Sequence, residues 1–401
     1  MFIIFEIMDE ARHIVHIDLD SFFVSVERIH DKSLEGKPVL IGGSSQRGVV
    51  ASCSYEARKF GVHSAMPMRQ ALQLCPHATV IGGNYSAYSK ASGAVTQIIK
   101  ERVPLFEKTS IDEFYIDLTG MDRFYGCYQI ASELRQAVIK ETGLPISFGL
   151  SSNKTVSKIA TGQAKPNGQL FIEHGTEKAF LAPLPVSKIP MVGERACQTL
   201  YSIGVHTIGD LQKQNLSNLE RHFGKMGSMM WNKAHGIDDS VVNPYHERKS
   251  ISSENTFHTD ILDTHILEEL LISMLEQLTY KLRQENKVSS CLAVKIRYSG
   301  FETFTHQITI PASHSDNLII PELKRLFGKA YQKGRPVRLI GVRLSNLTDG
   351  AYQLGLFDSN ERDGKLYEAL DKLNNRFGTK TICRAATFGI SSREFNPFIR
   401  G

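Results

Sequence analysis

The chain has 401 residues, 41% of them hydrophobic and 22% charged, with a formal net charge of +5. That length is too great for one ordinary core, and the composition excludes both a disordered chain and one dominated by apolar segments. The mild basic excess suits a polyanionic partner but does not select one.

Along the chain, the opening MFIIFEIMDEARH is too short and too acidic for a signal peptide, and Met8 offers a second plausible start. No run approaches the ~18–20 apolar residues of a membrane span, so no membrane role and a cytoplasmic location are expected. Residues 13–17 alternate and are β-branched, which predicts a strand running into Asp18-Leu19-Asp20. Short strands are predicted at 39–41 and 49–52, and helices at 55–60 and 67–74, the latter opening on proline. A long helix over 85–102 precedes 108–117, where two strand segments flank Asp112-Glu113. A helix at 129–141, a strand at 146–150 and a helix at 154–163 complete the βαββαβ order of a ferredoxin-like sheet with a small α/β insert after its first strand.

From 175 to 236 short helices alternate with glycine-containing turns, and 241–249, polar with Pro244, Arg248 and Lys249, predicts an extended linker. A second α/β unit follows, with helices at 261–284 and 317–331 and strands at 292–298, 303–310 and 337–347. The six cysteines are scattered singly with no C-x-x-C pair, which reads as reduced thiols rather than a zinc site.

The acidic residues carry the chemistry. Asp18 and Asp20 close one strand and Asp112-Glu113 open another, and in a ferredoxin-like sheet these elements are central neighbours. Carboxylates converging without a compensating Lys or Arg would repel unless divalent cations bridge them, and hard oxygen ligands favour Mg²⁺, with Mn²⁺ as the substitute. Two such ions serve nucleotidyl transfer. The bland alternative is strand-end acids capping turns.

Asp18-Leu19-Asp20-Ser21-Phe22-Phe23, Tyr55-Glu56-Ala57-Arg58-Lys59-Phe60-Gly61, Ser110-Ile111-Asp112-Glu113 and Ala164-Lys165-Pro166-Asn167-Gly168 together resemble, over nearly the whole chain, the Y-family DNA polymerases and within them the bacterial DNA polymerase IV class. The resemblance implies an α+β multi-domain fold: a ferredoxin-like palm at 11–28 and 84–172, small α/β fingers at 29–83, a helical thumb at 173–239, a linker at 240–249, an α/β little finger at 250–348, and a clamp-binding peptide with a tail at 349–401. It also implies that Asp18, Asp112 and Glu113 bind two metal ions, with Glu113 the usual catalytic assignment, the Leu19 carbonyl a further ligand and Asp20 a supporting neighbour.

Phe23, five residues past Asp18, lies where the family places a ring that excludes a ribose 2′-hydroxyl, a contact built against the wrong substrate. Its neighbour Phe22 is the other candidate, and one of the two should be a core aromatic. Tyr55 and Arg58 share a helix face and Lys165 lies at a turn, so all three are candidates for the triphosphate. In the thumb a helix-hairpin-helix turn would offer Gly193 to a DNA phosphate, although Met191 stands where glycine is usual. Lys295 and Arg297 on one little-finger strand, with Arg338 and Arg343 on another, should form a basic face that tracks the backbone. Gln353, Leu354, Leu356 and Phe357 resemble the peptide by which bacterial polymerases dock on the sliding clamp. Leu366, Leu370 and Leu373 are spaced for one helix face in a tail of no assigned role.

The function that follows is translesion-type DNA synthesis on primer-template DNA from deoxynucleoside triphosphates, by a monomer of low fidelity with no proofreading domain and a fingers insert too small to enclose the nascent base pair. Two rivals remain: a catalytically inactive DNA- and clamp-binding scaffold, and a ferredoxin-like nucleotidyl cyclase, which would leave the thumb, little finger and clamp peptide idle.

Overall fold

The segment Ile-Val-His-Ile-Asp-Leu is largely apolar on both faces of a strand, and such a strand belongs at the middle of a covered sheet. In the computed structural model it forms β1 (Ile14–Leu19), with Ile14, Val15 and Ile17 fully buried. The structure describes residues 12–43, 47–121, 126–245, 247–350, 360–378 and 381–387. They fall in two units, one formed by Met1–Ile41, Val50–Met66 and Ala71–His246, the other by Gly42–Val49, Pro67–Gln70 and Glu247–Gly401.

After β1 come α1 (Phe22–His30), β2 (Val39–Gly42), β3 (Val50–Cys53), α2 (Tyr55–Arg58), α3 (Met68–Leu74), β4 (Thr79–Ile81), α4 (Tyr85–Arg102), β5 (Phe106–Lys108), β6 (Glu113–Asp117), α5 (Cys127–Thr142), β7 (Ile146–Ser151), α6 (Lys154–Ala164) and β8 (Gln169–Phe171). The main sheet has the order β5-β6-β1-β7-β8, so β1 lies between β6 and β7 and is antiparallel to both. A second, three-stranded sheet runs β3-β2-β4. Helix α6 packs on β7 and β1. Its approach requires Gly149, where a Cβ would stand 2.3 Å from the Ser157 carbonyl oxygen.

Five short helices follow: α7 (Glu177–Leu181), α8 (Glu194–Ser202), α9 (Ile208–Gln212), α10 (Leu216–Phe223) and α11 (Lys225–Ala234). Leu200, Ile208, Leu219 and Met230 share one core with Val156 and Ile159 of α6, so the helical layer grows directly from the sheet's covering helix. The segment expected as an extended linker is packed against the main sheet at its start. Val242 is buried against Ile14 and Tyr115, and the Asn243 N–H donates to Glu107 at 2.8 Å.

The second unit contains β9 (Ser250–Ile261), α12 (Thr264–Gln284), β10 (Lys287–Tyr298), β11 (Thr303–Ser313), α13 (Asp316–Ala330), β12 (Val337–Asp349) and α14 (Asn360–Phe377). Its antiparallel sheet has the order β11-β10-β12-β9. One face, with Leu292, Val294 and Ile296, packs under Leu271, Leu275, Leu278 and Phe327 of the two long helices. The other face is largely polar.

Three strands went unpredicted, for physical reasons. β4 and β8 have three residues each, too few to show a period, and β9 buries only Ile251 and Phe257 as apolar anchors in an otherwise polar edge. In helix α14 the covered face is shifted from the leucine stripe, of which only Leu370 is half-buried. Leu366 and Leu373 are 47% and 39% exposed, while Tyr367 and Asp371 turn inward. The cause is Arg283 of α12, which donates to both Asp371 oxygens at 2.9 and 3.0 Å and carries the Tyr367 ring at 4.6 Å.

Candidate active site

The acids come together through strand register. Asp18 lies directly opposite Glu113 in the β1–β6 ladder, and the Leu19 N–H donates to the Asp112 carbonyl at 3.1 Å. The turn entering β6 is closed by Ser110, whose hydroxyl accepts from the N–H groups of Asp112 and Glu113 at 3.2 and 3.0 Å and donates to Asp112 Oδ1 at 2.6 Å. A serine turn of this kind fixes where the acidic pair begins. Two sequence stretches thus deliver Asp18, Asp112 and Glu113 to one place.

One premise of the sequence reading is overturned here, because the acids do not stand without compensating cations. Lys158 of α6 donates to both Glu113 oxygens at 2.6 and 2.7 Å, and Lys165 forms an ion pair with Asp18. Among the described residues no group of three or more acidic, histidine or cysteine side chains is arranged to hold a metal as it stands. Lys158 lies 45 residues from Glu113 in sequence, and only the packing of α6 across β1 and β7 places it there. Its spacing within a helix gave no sign of this.

The lysines do not fully balance the acids. Burial raises the Asp18 carboxyl to about 7; Lys165 works against that shift, while the nearby Asp112 and Glu113 add to it. Two lysines against three carboxylates leave one negative charge that a divalent cation would offset. The donors on offer, two Asp, one Glu and the Leu19 carbonyl, are all hard oxygens of the kind Mg²⁺ takes. The residues therefore fit the ion. His16, behind them, is kept well below the ordinary histidine range by burial and then by Lys158 and Lys165. Its Nδ1 meets the Thr161 hydroxyl at 3.0 Å.

Asp20 is set apart from the other acids by what holds it. It is 1% exposed and accepts from the Tyr55 hydroxyl at 3.0 Å, the Ser147 hydroxyl at 2.8 Å and the Asn167 N–H at 2.7 Å.

Of the two phenylalanines, Phe22, 2% exposed, is the core aromatic. Phe23 is half-buried and stacks on Tyr88 with centroids 4.5 Å apart. Tyr88 is fixed in turn by its hydroxyl on Glu27 at 2.5 Å. Tyr55 and Arg58 do share a face, with the guanidinium over the ring at 4.8 Å.

Elsewhere the basic residues divide. Gly193 is the N-cap of α8, and Met191 before it is 72% exposed in the left-handed region at φ +75°. On the polar face of the second unit's sheet, Lys295 is opposite Gly341, which is opposite Glu254. Across the missing side chain Lys295 reaches the Glu254 oxygens at 2.8 and 2.9 Å, so it is neutralised rather than free. Arg297 donates to Thr303 at 2.8 Å. Arg343 is exposed, and Arg338, at the register shift between Val337 and Leu339, lies over Phe301 at 4.3 Å. With Lys295 held by Glu254, that face carries one less uncommitted cation than its sequence suggests. Gln353, Leu354, Leu356 and Phe357 lie outside the described residues.

Comparison with known proteins gives a consistent result. Residues 17–162 match the impB/mucB/samB family, 248–356 match that family's C-terminal domain, and 187–238 match the thumb domain of DNA polymerase-iota. A DNA polymerase IV of Dehalococcoides mccartyi is 38% identical over 94% of this chain and 98% of its own length. A DNA polymerase IV of Listeria innocua is 38% identical over 85% of this chain and 96% of its own. A solved Y-family DNA polymerase chimera superimposes with a TM-score of 0.72 at 24% identity, covering 83% of this chain and 98% of that one, which bears on the fold alone.

Proposed function

This chain belongs to the Y-family DNA polymerases, in the bacterial DNA polymerase IV group, and on that premise we propose that Asp18, Asp112 and Glu113 run its DNA-directed synthesis with two Mg²⁺ ions. The enzyme is a translesion-type DNA polymerase acting on primer-template DNA and deoxynucleoside triphosphates. The observation that carries the site assignment is the register: Asp18 opposite Glu113, with Asp112 tied to Leu19.

Those three carboxylates and the Leu19 carbonyl would hold the two ions, which would supply activation of the primer 3′-hydroxyl and neutralisation of the departing pyrophosphate. The protein supplies position. Lys165, paired with Asp18, and Arg58, on the Tyr55 ring, are cations within one reach of a triphosphate, and Tyr55 adds a hydroxyl. Phe23, backed by Tyr88, would collide with a ribose 2′-hydroxyl. Mn²⁺ would serve the same oxygen ligands.

The domain division follows the family: palm 11–28 and 84–172, fingers 29–83, thumb 173–239, linker 240–249, little finger 250–348. Gly193, Arg297 and Arg343, with Lys295 and Arg338 in lesser roles, would touch DNA phosphates, and Gln353, Leu354, Leu356 and Phe357 would dock on the sliding clamp. Low fidelity follows from a fingers segment too small to enclose the base pair. The enzyme would act as a cytoplasmic monomer.

Primer extension on intact and damaged templates tests this reading. Wild type should extend in Mg²⁺ and only with primer and template present, and Glu113→Ala should fail to extend while still binding DNA. Extension by Glu113→Ala at the wild-type rate would remove the site assignment, and absence of extension by wild type would favour the scaffold.

A further inference from the structure

We infer that Asp20 is a positioning residue for the incoming nucleotide: its buried carboxylate sets the spacing between the two arms, Tyr55 and Lys165, that hold the triphosphate. The inference rests on the nucleotide role proposed above for those two side chains.

Asp20 joins three segments that are far apart in sequence. One oxygen accepts from Tyr55 at the start of α2, and the other accepts from Ser147 on β7 and from the Asn167 main chain, two residues past Lys165. No lysine or arginine is among these donors. The carboxylate is itself fixed at both main-chain ends, its N–H donating to the Pro145 carbonyl at 2.9 Å and its carbonyl accepting from Ser25 at 2.6 Å. It can therefore serve as a fixed post rather than a mobile partner.

The turn that it grips is held from the far side as well. Asn167 sits at φ +52°, and its carbonyl oxygen accepts from Arg135 at 2.7 Å, while Arg135 also donates to the Ile146 carbonyl at 2.9 Å. Gly168 closes the turn by donating to the Ser147 hydroxyl at 3.1 Å. Ser147 thus bonds both the post and the turn, and it is fully buried. Both of its oxygens are engaged by neutral donors from three separate segments. Positioning groups of this kind act because arms held beforehand at the spacing the substrate needs spare the cost of ordering them when it binds.

The test is single-nucleotide insertion kinetics on the full chain with primer-template DNA. Wild type, Asp20→Asn, Ser147→Ala, Tyr55→Phe and the Ser147→Ala/Tyr55→Phe pair are compared, and Lys165→Ala is the reference arm. Melting temperature and DNA affinity are measured for each. Ser147→Ala should raise KM for the nucleotide about tenfold, the scale of one hydrogen bond to a charged group, with kcat and DNA affinity little changed. Asp20→Asn, which keeps shape and one acceptor, should lose less. The double variant should fall short of the product of its single effects, because both act through one carboxylate.

The positioning role is overturned if Lys165→Ala raises KM while Ser147→Ala and Asp20→Asn, folded to wild-type melting temperature, leave it unchanged. If Lys165→Ala and Tyr55→Phe also leave KM unchanged, the nucleotide assignment itself fails. A rise in the Mg²⁺ needed for half-activity in Asp20→Asn, with KM for the nucleotide constant, would make Asp20 a metal ligand and overturn the proposal.

Discussion

Asp18 and Glu113 are direct cross-strand partners at the end of the central β1–β6 ladder. Like charges in that relation destabilise a sheet, and each acid here is met by a lysine from the layer behind, Lys165 for Asp18 and Lys158 for Glu113. The pair is a place where the fold tolerates repulsion in order to concentrate negative charge.

Cation binding should therefore depend on pH in a defined direction. Burial, opposed by Lys165 and reinforced by Asp112 and Glu113, brings the Asp18 carboxyl to about 7. Below that pH it carries a proton that a metal must displace; above it the carboxylate is ionised and only the Lys165 pairing competes. Mn²⁺ affinity should tighten as pH rises from 6 to 8, and the rise should flatten in Asp18→Asn. Titration calorimetry at several pH values reads both.

Phe22 and Phe23 should separate cleanly on substitution. Phe23→Ala should raise ribonucleotide incorporation by about tenfold or more with little loss of stability, since the ring is half-buried on Tyr88. Phe22→Ala removes a ring that is 2% exposed and should cost about 3–5 kcal/mol of stability. An unchanged deoxy/ribo preference in Phe23→Ala removes the gate.

Met191→Gly should stabilise the protein. The residue sits at φ +75° and its side chain is 72% exposed, so it carries the left-handed penalty of about 1–2 kcal/mol with little packing in return. Part of that is offset by the greater chain entropy of glycine. A net gain of about 0.5–1 kcal/mol is expected from denaturant unfolding, and a loss would show that the Met191 side chain has a contact the fold needs.

The salt dependence of DNA binding should distinguish Lys295 from Arg343. Lys295 is engaged by Glu254, so Lys295→Ala should change the slope of log K against log salt by less than the roughly one unit expected for Arg343→Ala. Glu254→Gln should restore Lys295 to the phosphate backbone and steepen the slope. Equal slopes for all three would dissociate this sheet face from DNA.

Much of the main sheet was legible because its strands are dense in β-branched residues and its helices are long. The helix at 85–102 lies where the pattern put it, as α4, and β6 is the second of the two strand segments read around Asp112, while the first gives way to a turn at 109–112 after β5. What sequence could not reveal was pairing across distance. Lys158 looks like an ordinary helix cation until α6 lies on β1, the pairing of Lys165 with Asp18 is equally hidden, and Lys295 looks like a free cation until Gly341 lets Glu254 reach it. The α14 error has the same origin. Three leucines at helical spacing predict a buried face, but the buried Arg283 on the neighbouring helix selects Asp371 and Tyr367 instead. Amphipathic spacing reports which residues share a face, and the partner decides which face is covered.

The most direct measurement is the stoichiometry of Mn²⁺ bound by the enzyme on a 3′-dideoxy-terminated primer-template with a matching nucleotide, in wild type and in Asp18→Ala. Asp18, Asp112 and Glu113 acting together predict about two ions per chain in wild type and loss of at least one in the variant. Two ions retained with unchanged affinity in Asp18→Ala would contradict a shared metal site spanning β1 and β6.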